Sequence, residues 1–233
     1  MGLITTCIGA YPKPDYVTLP DWFQNLDTQD PTSGWAEALE TMGDEASVIL
    51  EKGTREAVMD QVDAGIDIPT DGEIARENYI HYHCRHLENI DFIQLTERQV
   101  RTGNYSAKLP TVRGPVKPKD LFLTNDWIRA QKVTDQPVKI TMPGPLTVAD
   151  TLVDNYYGDL NKFGRDIAAA LNQEVRCNRS SSVGWATAFL GGISPCSSIS
   201  TTRSHCPSSS GLKSPVNASV RVSTWWRERN SEP

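Results

Sequence analysis

The sequence of 233 residues has no apolar run near the roughly 20 residues that a membrane-spanning helix needs. Residues 1–6 lack the basic and apolar regions of a secretory signal peptide. The five cysteines include no CxxC pair, and their spacing matches neither a zinc ribbon nor a disulfide framework. These absences predict a cytoplasmic chain with reduced thiols and no membrane partner.

Serine and acidic residues are each scarce in one part of the chain. Residues 1–176 hold three serines, whereas residues 177–233 hold fifteen. Acidic residues follow the opposite pattern, since 27 of the 29 precede this boundary. With 17 basic side chains, residues 1–176 carry a net charge of −10, and the rest of the chain carries +4. The negative charge of the larger part argues against nucleic acid as the main partner.

The larger part alternates between predicted strands and predicted helices. In chain order, the pattern predicts a buried strand at 3–9, a helix at 44–64 that stops at Gly65, a strand at 66–70, a helix at 124–133, a strand at 138–142 and a helix at 161–176. The last helix is predicted to have an apolar face formed by Ile167, Ala170, Leu171 and Val175. This alternation predicts a parallel α/β fold, which places its ligands in the loops that follow the strands. A fourth strand is due about ten residues after Arg176. The sequence at that point shows no convincing strand pattern.

Shorter patterns predict the segments between these main elements. Residues 78–87 predict a short helix, and residues 92–116 predict extended segments. Asp120 or Thr124 is expected to cap the helix that follows. Pro145 is suited to the first turn of a further helix, because proline fixes φ and needs no amide partner there.

Two strand ends carry residues that suit the binding of a small ligand. Gly9 ends the first predicted strand, where a glycine lets the backbone approach a ligand and donate amide hydrogens to a carboxylate. A tight turn is the simpler interpretation of this glycine, and local physics favours it. Glu73 follows the second predicted strand, and its carboxylate suits a substrate ammonium group. An acidic residue at a helix N-terminus explains Glu73 equally well.

His81, His83, Cys84 and His86 form a second cluster, and their residue types suit zinc. A helix turns by about 100° per residue, so only His83 and His86 share a face. Two ligands do not make a zinc site, because three or four must converge. The favoured interpretation is an amphipathic helix with polar imidazoles and no metal.

Four segments occur in an order and spacing typical of a known family: Thr5–Pro12, Asp71–Glu73 with Arg76, Thr134–Lys139 and Pro143–Thr147. Together they resemble the C-terminal catalytic domain of the cobalamin-independent methionine synthase family and its shorter homologues. The resemblance covers residues 1–176. It implies the N-terminal portion of a TIM-type (βα)8 barrel, with about three βα units.

The resemblance also implies a reaction and a set of substrate residues. Family members are 5-methyltetrahydropteroyltriglutamate–homocysteine S-methyltransferases, which act in methionine biosynthesis on a zinc-bound homocysteine thiolate and use no cobalamin. Zinc suits this step because it lowers the pKa of the thiol. The residues carried over for the amino-acid substrate are Ile8, Gly9, Ala10 and Glu73. Ala10 stands where the family has a serine, so a hydroxyl contact is lost while backbone contacts remain available.

The methyl-donor residues depart further from the family pattern. Tyr105 and Ser106 stand in place of an Arg-Cys pair, and Thr151 stands in place of a tryptophan. The expected small-molecule partners are therefore homocysteine and either a methylated folate or another methyl donor. The family's zinc ligands are a His-x-Cys pair, a Glu and a late Cys, and none is found here. No catalytic or metal-binding residue is therefore assigned, and the chain is predicted to be truncated and inactive.

The composition change after Arg176 is predicted to separate two regions of the chain. Residues 1–176 are predicted to be an incomplete barrel, and residues 177–233 a Ser-rich tail that is aberrant or disordered. A frameshift or retained intron near codon 177 is the favoured hypothesis, and a genuine disordered tail is the alternative. Two other functions stay open: a homologue with a different thiol or methyl donor, and a non-catalytic small-molecule-binding module.

Overall fold

The computed structural model describes residues 3–20, 34–100, 105–180 and 186–190. Its helices are α1 Gly34–Met42, α2 Ala46–Asp63, α3 His81–Arg85, α4 Leu123–Gln131, α5 Pro145–Asp150 and α6 Leu160–Ser180, with a 3-10 turn at Gly43–Glu45. Its strands are β1 Ile90–Val100, β2 Tyr105–Val112, β3 Lys139–Pro143, β4 Val153–Asp154 and β5 Ala186–Leu190. The predicted mixture of helices and strands is therefore present.

Four parallel segments lie side by side in chain order. Thr6 pairs with Ile68, and Thr70 pairs with Lys139, each through an isolated parallel bridge. β3 then pairs with β5 in parallel along the whole of both strands. Helices lie between consecutive segments, which is the arrangement of neighbouring units in a (βα)8 barrel. The predicted fold class, the N-terminal portion of a TIM-type barrel, is confirmed.

The first of these segments is more exposed than the sequence predicts. Leu3 is 96% exposed and Ile8 is 76% exposed, and regular pairing is limited to the bridge at Thr6. Among the described residues, this segment has a neighbour on one side only, the segment around Ile68. Apolar side chains at such an edge stay in contact with solvent. The prediction of a buried strand is therefore wrong.

β5 lies where the sequence analysis found no convincing strand. It begins ten residues after Arg176 and forms a parallel ladder with β3. α6 also continues through the composition change and ends at Ser180. Strand formation here depends on pairing with β3, which a local pattern does not reveal. The prediction that a fourth strand is missing is wrong, and the rest of the predicted tail, residues 181–185 and 191–233, lies outside the described residues.

The main apolar core lies between β3 and the helices. Val138, Ile140 and Met142 are buried on this face. The helices contribute Val58, Leu123, Trp127, Ala130, Phe163, Ile167, Ala170 and Leu171. The predicted apolar face of α6 is thereby confirmed. Since side chains alternate along a strand, Lys139 and Thr141 point to the opposite side of β3, towards the first two segments.

Two predicted helix boundaries agree with the structure. α2 ends at Asp63, and the predicted stop residue Gly65 has φ +79°, a left-handed conformation that glycine adopts without strain. Pro145 is the first residue of α5, as predicted.

The N-terminus of α4 is capped from another helix. The Leu123 amide donates to Glu174 Oε1 of α6 at 2.8 Å, and Phe122 occupies the cap position without a side-chain bond. Glu174 is buried and satisfies an amide that a local cap would otherwise serve. The prediction that Asp120 or Thr124 caps this helix is therefore wrong.

An antiparallel hairpin of β1 and β2 is inserted between the second and third parallel segments and does not belong to the parallel arrangement. β2 continues the small sheet by pairing in parallel with β4. The predicted extended segments at 92–116 are confirmed by these strands. None of the helices in the described ranges is both long enough and apolar enough to cross a membrane.

Candidate functional site

The ends of the first two parallel segments are held together by hydrogen bonds. Thr70 Oγ1 donates to the Gly9 carbonyl at 2.8 Å. The Tyr11 amide donates to the Gly72 carbonyl at 2.9 Å. These bonds fix the loop after the first segment against the turn that carries Glu73.

Gly9, Glu73 and Thr141 meet at this edge of the sheet. Thr141 Oγ1 lies 2.5 Å from Glu73 Oε1 and donates to it. A Cβ atom added to Gly9 would lie 2.4 Å from Glu73 Oε1 and 3.0 Å from Thr141 Cγ2. The glycine therefore serves close approach as well as turning the chain, and the carboxylate that it approaches is that of Glu73.

Glu73 adopts an unusual backbone conformation. Its φ is +55°, and that of the preceding Gly72 is +69°. A non-glycine residue in the left-handed region costs about 1 kcal/mol. Glu73 is also buried, with 5% of its surface exposed. The turn thus directs a buried carboxylate towards β3 at a cost in backbone energy.

Arg76 supplies a buried positive charge to the same cluster. Its Nη2 lies 3.2 Å from Asp71 Oδ2, and its Nη1 lies 3.6 Å from Glu73 Oε1. Nη1 also donates to both the carbonyl and the hydroxyl of Thr141, each at 3.1 Å. Burial acts to lower the pKa of Arg76, but Asp71, Glu73 and Asp126 outweigh it and raise the pKa above its ordinary value.

The polar cluster extends to α4 through Asp126. Tyr82 donates its hydroxyl hydrogen to Asp126 Oδ2 at 2.9 Å, and Arg129 Nη1 lies 3.1 Å from Oδ1. Burial raises the pKa of Asp126, while Arg76 and Arg129 act to lower it. Burial also raises the pKa of Tyr82, and Asp126 adds to that effect. The Arg76 guanidinium therefore lies among three carboxylates contributed by two parts of the chain.

Lys139 brings a second cation to the inner side of β3. Its Nζ donates to the Cys7 carbonyl across the second segment. Burial lowers the pKa of Lys139, and the nearby Cys7 and Glu73 act to raise it. The lysine thereby links the first and third parallel segments beside Glu73.

The helix N-terminus interpretation of Glu73 is wrong. Residues 71–80 form turns, and α3 begins only at His81. The Glu73 carbonyl accepts from the Arg76 amide at 3.0 Å, so its backbone closes a turn. Its carboxylate faces Thr141 on β3 and no helix amide.

The four predicted amino-acid-binding residues do not share one environment. Gly9 and Glu73 are both buried, and the Gly9 backbone approaches the Glu73 carboxylate. Ile8 and Ala10, on either side of Gly9, are exposed. The backbone of Ile8, Gly9 and Ala10 therefore runs from the exposed surface to the Glu73 carboxylate and back. The side of the cluster that this segment borders is its accessible side.

The predicted methyl-donor residues lie on β2 and directly after α5, which are not the elements that form this cluster. Ser106 is exposed on β2, and the Tyr105 side chain lies outside what the structure describes. Thr151 follows α5, and its hydroxyl donates to the Val148 carbonyl at 3.0 Å. Among the described residues, no hydrogen bond or ion pair joins Ser106 or Thr151 to Glu73. A cleft of about 760 Å³ next to Thr151 has Arg98, Leu152 and Asp154 in its walls.

The histidine cluster is buried, and the predicted amphipathic helix is therefore wrong. His81, His83 and Cys84 each have about 1% or less of their surface exposed. His83 Nδ1 lies 2.8 Å from the Tyr79 carbonyl. The ring of His86 stacks on Phe122 with a centroid distance of 3.8 Å. Burial lowers the pKa of His83 well below its ordinary value and raises that of the Cys84 thiol.

The described residues do not fit the zinc ion that the resemblance implies. Within residues 3–20, 34–100, 105–180 and 186–190, no three His, Cys, Asp or Glu side chains converge as a metal site requires. The imidazoles of His81 and His83 instead contact the backbone carbonyls of Thr151 and Tyr79. No step of a reaction is therefore assigned to zinc on these residues.

Two members of the cluster, Thr141 and Asp126, were not predicted from the sequence. Thr141 lies between the buried apolar residues Ile140 and Met142. A polar residue between two buried apolar residues of a strand points to the opposite face of the sheet. The sequence pattern of the predicted strand at 138–142 therefore indicates Thr141 as a member of the inner side. The approach of Asp126 to Arg76 arises only from packing of α4, so no local pattern indicates it.

Comparisons with known proteins support one family. The model of the cobalamin-independent synthase catalytic domain matches residues 3–182. Methionine synthases of Sulfolobus acidocaldarius and Saccharolobus solfataricus are 28% identical to the chain over 176 and 181 residues. Each match covers 75% of this chain, but 47% and 48% of the relatives. The chain thus spans about half the length of the curated relatives that it matches.

Solved structures agree with the fold. A B12-independent methionine synthase from Shewanella sp. W3-18-1, in complex with selenomethionine, is 30% identical with a TM-score of 0.66. The match covers 79% of this chain and 50% of that protein. A putative vitamin-B12-independent methionine synthase from Listeria monocytogenes, 16% identical with a TM-score of 0.55, supports the fold alone. With the family model matching most of its length, the chain belongs to the cobalamin-independent methionine synthase family.

Proposed function

We propose that the cluster around Glu73 binds the amino-acid substrate of a methionine-synthase-like S-methyltransferase, homocysteine or its methylated product. The Glu73 carboxylate accepts the ammonium group, and the backbone of Ile8, Gly9 and Ala10 borders the rest of the amino acid. The observation that carries this proposal is the contact of Gly9 with a buried, anchored Glu73 carboxylate. Support also comes from the Shewanella relative, whose structure holds selenomethionine.

We further propose that the chain on its own binds the amino acid without transferring a methyl group. Methyl transfer requires a nucleophilic sulfur, and the zinc of the family lowers the pKa of the homocysteine thiol when it is bound. The described residues provide no group of ligands for that ion. Cobalamin has no part in the proposal, since the family is cobalamin-independent.

The methyl donor is proposed to be a methylated folate or another small donor held near Tyr105, Ser106 and Thr151. These residues differ from the family's Arg-Cys pair and tryptophan, which favours a donor other than the folate of better-known members. Methyl-donor assays with a complete gene product that includes the zinc ligands distinguish the two cases. We keep as proposals the cytoplasmic location and the division of the chain into an incomplete barrel and a tail.

Calorimetric titration of the full chain with L-selenomethionine tests the amino-acid site. Glu73→Gln is expected to weaken binding by about ten- to a hundred-fold, because a charge-assisted contact with the ammonium group is lost. Glu97→Gln is the matched control, since Glu97 is an exposed glutamate on β1. Equal affinities of Glu73→Gln and the unaltered chain would exclude Glu73 as the ammonium ligand.

Zinc content and methyl transfer test the second part of the proposal. The purified chain is expected to hold well below one equivalent of zinc and to form no methionine from homocysteine and a methylated folate. One tightly bound zinc per chain, together with methionine formation, would show that residues beyond the described ranges complete the metal site.

A further inference from the structure

Among the described residues, the hydrogen bond and the ion pair of the Glu73 side chain both fall on the same carboxylate oxygen, Oε1. Thr141 Oγ1 donates to Oε1 at 2.5 Å, and Arg76 Nη1 lies 3.6 Å from the same atom. The Gly9 backbone also approaches Oε1, as the position of a Cβ there demonstrates. No hydrogen bond or ion pair between described residues involves the second oxygen, Oε2.

We propose that Thr141 and Arg76 are positioning residues, which hold Oε1 of Glu73 so that Oε2 faces the ammonium group of the bound amino acid. The inference rests on the proposed function, because it concerns how the same carboxylate recognises its ligand. It assigns a role to two residues that do not themselves touch the ligand.

The direction of the hydrogen bonds supports this assignment. An arginine donates hydrogen bonds and accepts none, so the Thr141 hydroxyl accepts from Arg76 Nη1 at 3.1 Å. The single hydroxyl hydrogen is then available to donate to Glu73 Oε1. Arg76 is itself fixed by Asp71, whose Oδ2 lies 3.2 Å from Nη2. The two hydrogen bonds from Arg76 to Thr141 and from Thr141 to Glu73 therefore point in the same direction, towards the Glu73 carboxylate, while Asp71 accepts from the other side of the guanidinium.

The charges indicate that Glu73 serves more than the neutralisation of Arg76. Asp71 already forms the closer ion pair with the guanidinium, at 3.2 Å compared with 3.6 Å for Glu73. Asp126 acts on the same guanidinium from α4. Lys139, the other nearby cation, is engaged with the Cys7 carbonyl. Arg76 therefore has two other carboxylates to balance its charge. Glu73 is nevertheless held beside it in a strained backbone conformation, with φ +55°.

Titrations of Thr141 variants with two ligands test the positioning role. L-methionine carries the ammonium group, and 4-(methylthio)butanoate has the same skeleton without it. Thr141→Val is expected to weaken L-methionine binding about ten-fold, because the carboxylate loses its hydroxyl donor. Binding of 4-(methylthio)butanoate, followed by ligand-observed NMR up to millimolar concentrations, is expected to stay unchanged. Thr141→Ser keeps the hydroxyl and is expected to restore L-methionine affinity.

Thr111→Val is the matched control, because Thr111 is another buried threonine whose hydroxyl bonds to Thr96, on the hairpin and away from Glu73. It is expected to bind both ligands as the unaltered chain does. If Thr141→Val does not fold, Thr141→Ala carries the same expectation.

The outcomes separate this inference from the proposed function. Failure of the unaltered chain to bind L-methionine would overturn the proposed function and this inference with it. If Glu73→Gln loses affinity while Thr141→Val keeps it, Glu73 stands as the ligand and the positioning role is overturned. Equal losses for both ligands in Thr141→Val would also overturn it, because general damage to the site does not depend on the ammonium group.

Discussion

At the scale of single residues, position 9 lies so close to the Glu73 carboxylate that any side chain there must displace it. A Cβ at Gly9 would meet Glu73 Oε1 at 2.4 Å and Thr141 Cγ2 at 3.0 Å. Gly9→Ala is therefore expected to weaken L-selenomethionine binding by about ten-fold or more, since misplacement of a binding group lowers affinity steeply. Calorimetric titration of the variant and the unaltered chain measures the effect.

Gly164→Ala is the matched control for this substitution. A Cβ at Gly164 would lie 3.6 Å from Leu146 Cδ2, which is an ordinary contact, and alanine is a better helix former than glycine within α6. This variant is expected to bind as the unaltered chain does and to unfold at an equal or higher temperature. Unchanged affinity in Gly9→Ala would mean that Gly9 serves only to turn the chain.

The residues of the cluster differ in how far the sequence identifies them. Gly9 and Glu73 lie in motifs at strand ends, where a short motif and its position suffice to select them. Arg76 is named within the same motif, but its contact with Thr141 requires the pairing of the second segment with β3. Side-chain contacts across strands depend on register, which no single segment specifies.

At the scale of elements, the buried helix α3 is expected to make stability depend on pH. Burial, reinforced by Arg76 and His86, lowers the pKa of His83 well below 6.5, while the Tyr79 carbonyl opposes the shift. Below about pH 6.5 the unfolded chain therefore binds a proton that the folded chain excludes, and stability falls as the pH falls. The loss for this one group is at most about 1.4 kcal/mol per pH unit. Urea unfolding at pH 7 and pH 5 measures it.

His83→Phe isolates the contribution of this histidine. The ring of His83 lies edge-on to Tyr82 and Phe122, so an aromatic replacement suits the site. Burial raises the pKa of Asp126 and of Glu77, and these carboxylates act in the opposite direction. Because both carboxylates remain in the variant, the difference in slope belongs to His83. An unaltered pH dependence in His83→Phe would contradict the assignment.

Elements with a clear local pattern are the ones that the sequence predicts correctly. α6 has an apolar face that includes Ile167 and Leu171, and α2 has the glycine stop at Gly65. The first parallel segment and β5 depend instead on which neighbours they have. The first parallel segment is exposed because, among the described residues, it has no neighbour on its outer side. β5 forms a strand because β3 pairs with it.

At the scale of the whole molecule, the parallel segments show how far the barrel-like part of the chain extends. The segments around Thr6 and Ile68 and the strands β3 and β5 follow one another in chain order, whereas a closed barrel of this type has about eight strands. The matched relatives are about twice as long as the part that they share with this chain. The fourth parallel segment, β5, lies beyond the composition change after Arg176. It therefore decides whether the folded part of the chain extends past that change.

Proline substitutions in β5 test whether this unit contributes to the stability of the whole molecule. Successive amides of a strand point in opposite directions, so one of Thr187→Pro and Ala188→Pro removes an amide that faces β3. That variant is expected to lower the free energy of unfolding by about 2 kcal/mol, through the lost hydrogen bond and the restricted backbone. Ser209→Pro, beyond β5, is the matched control and is expected to change nothing. Urea unfolding of the full chain measures all three variants. If neither β5 variant unfolds at a lower urea concentration than the control, the cooperatively folded unit ends with α6, close to the predicted boundary at Arg176. A lower free energy of unfolding in one of them places the boundary after Leu190, because a strand ladder that stabilises β3 belongs to the same cooperative unit.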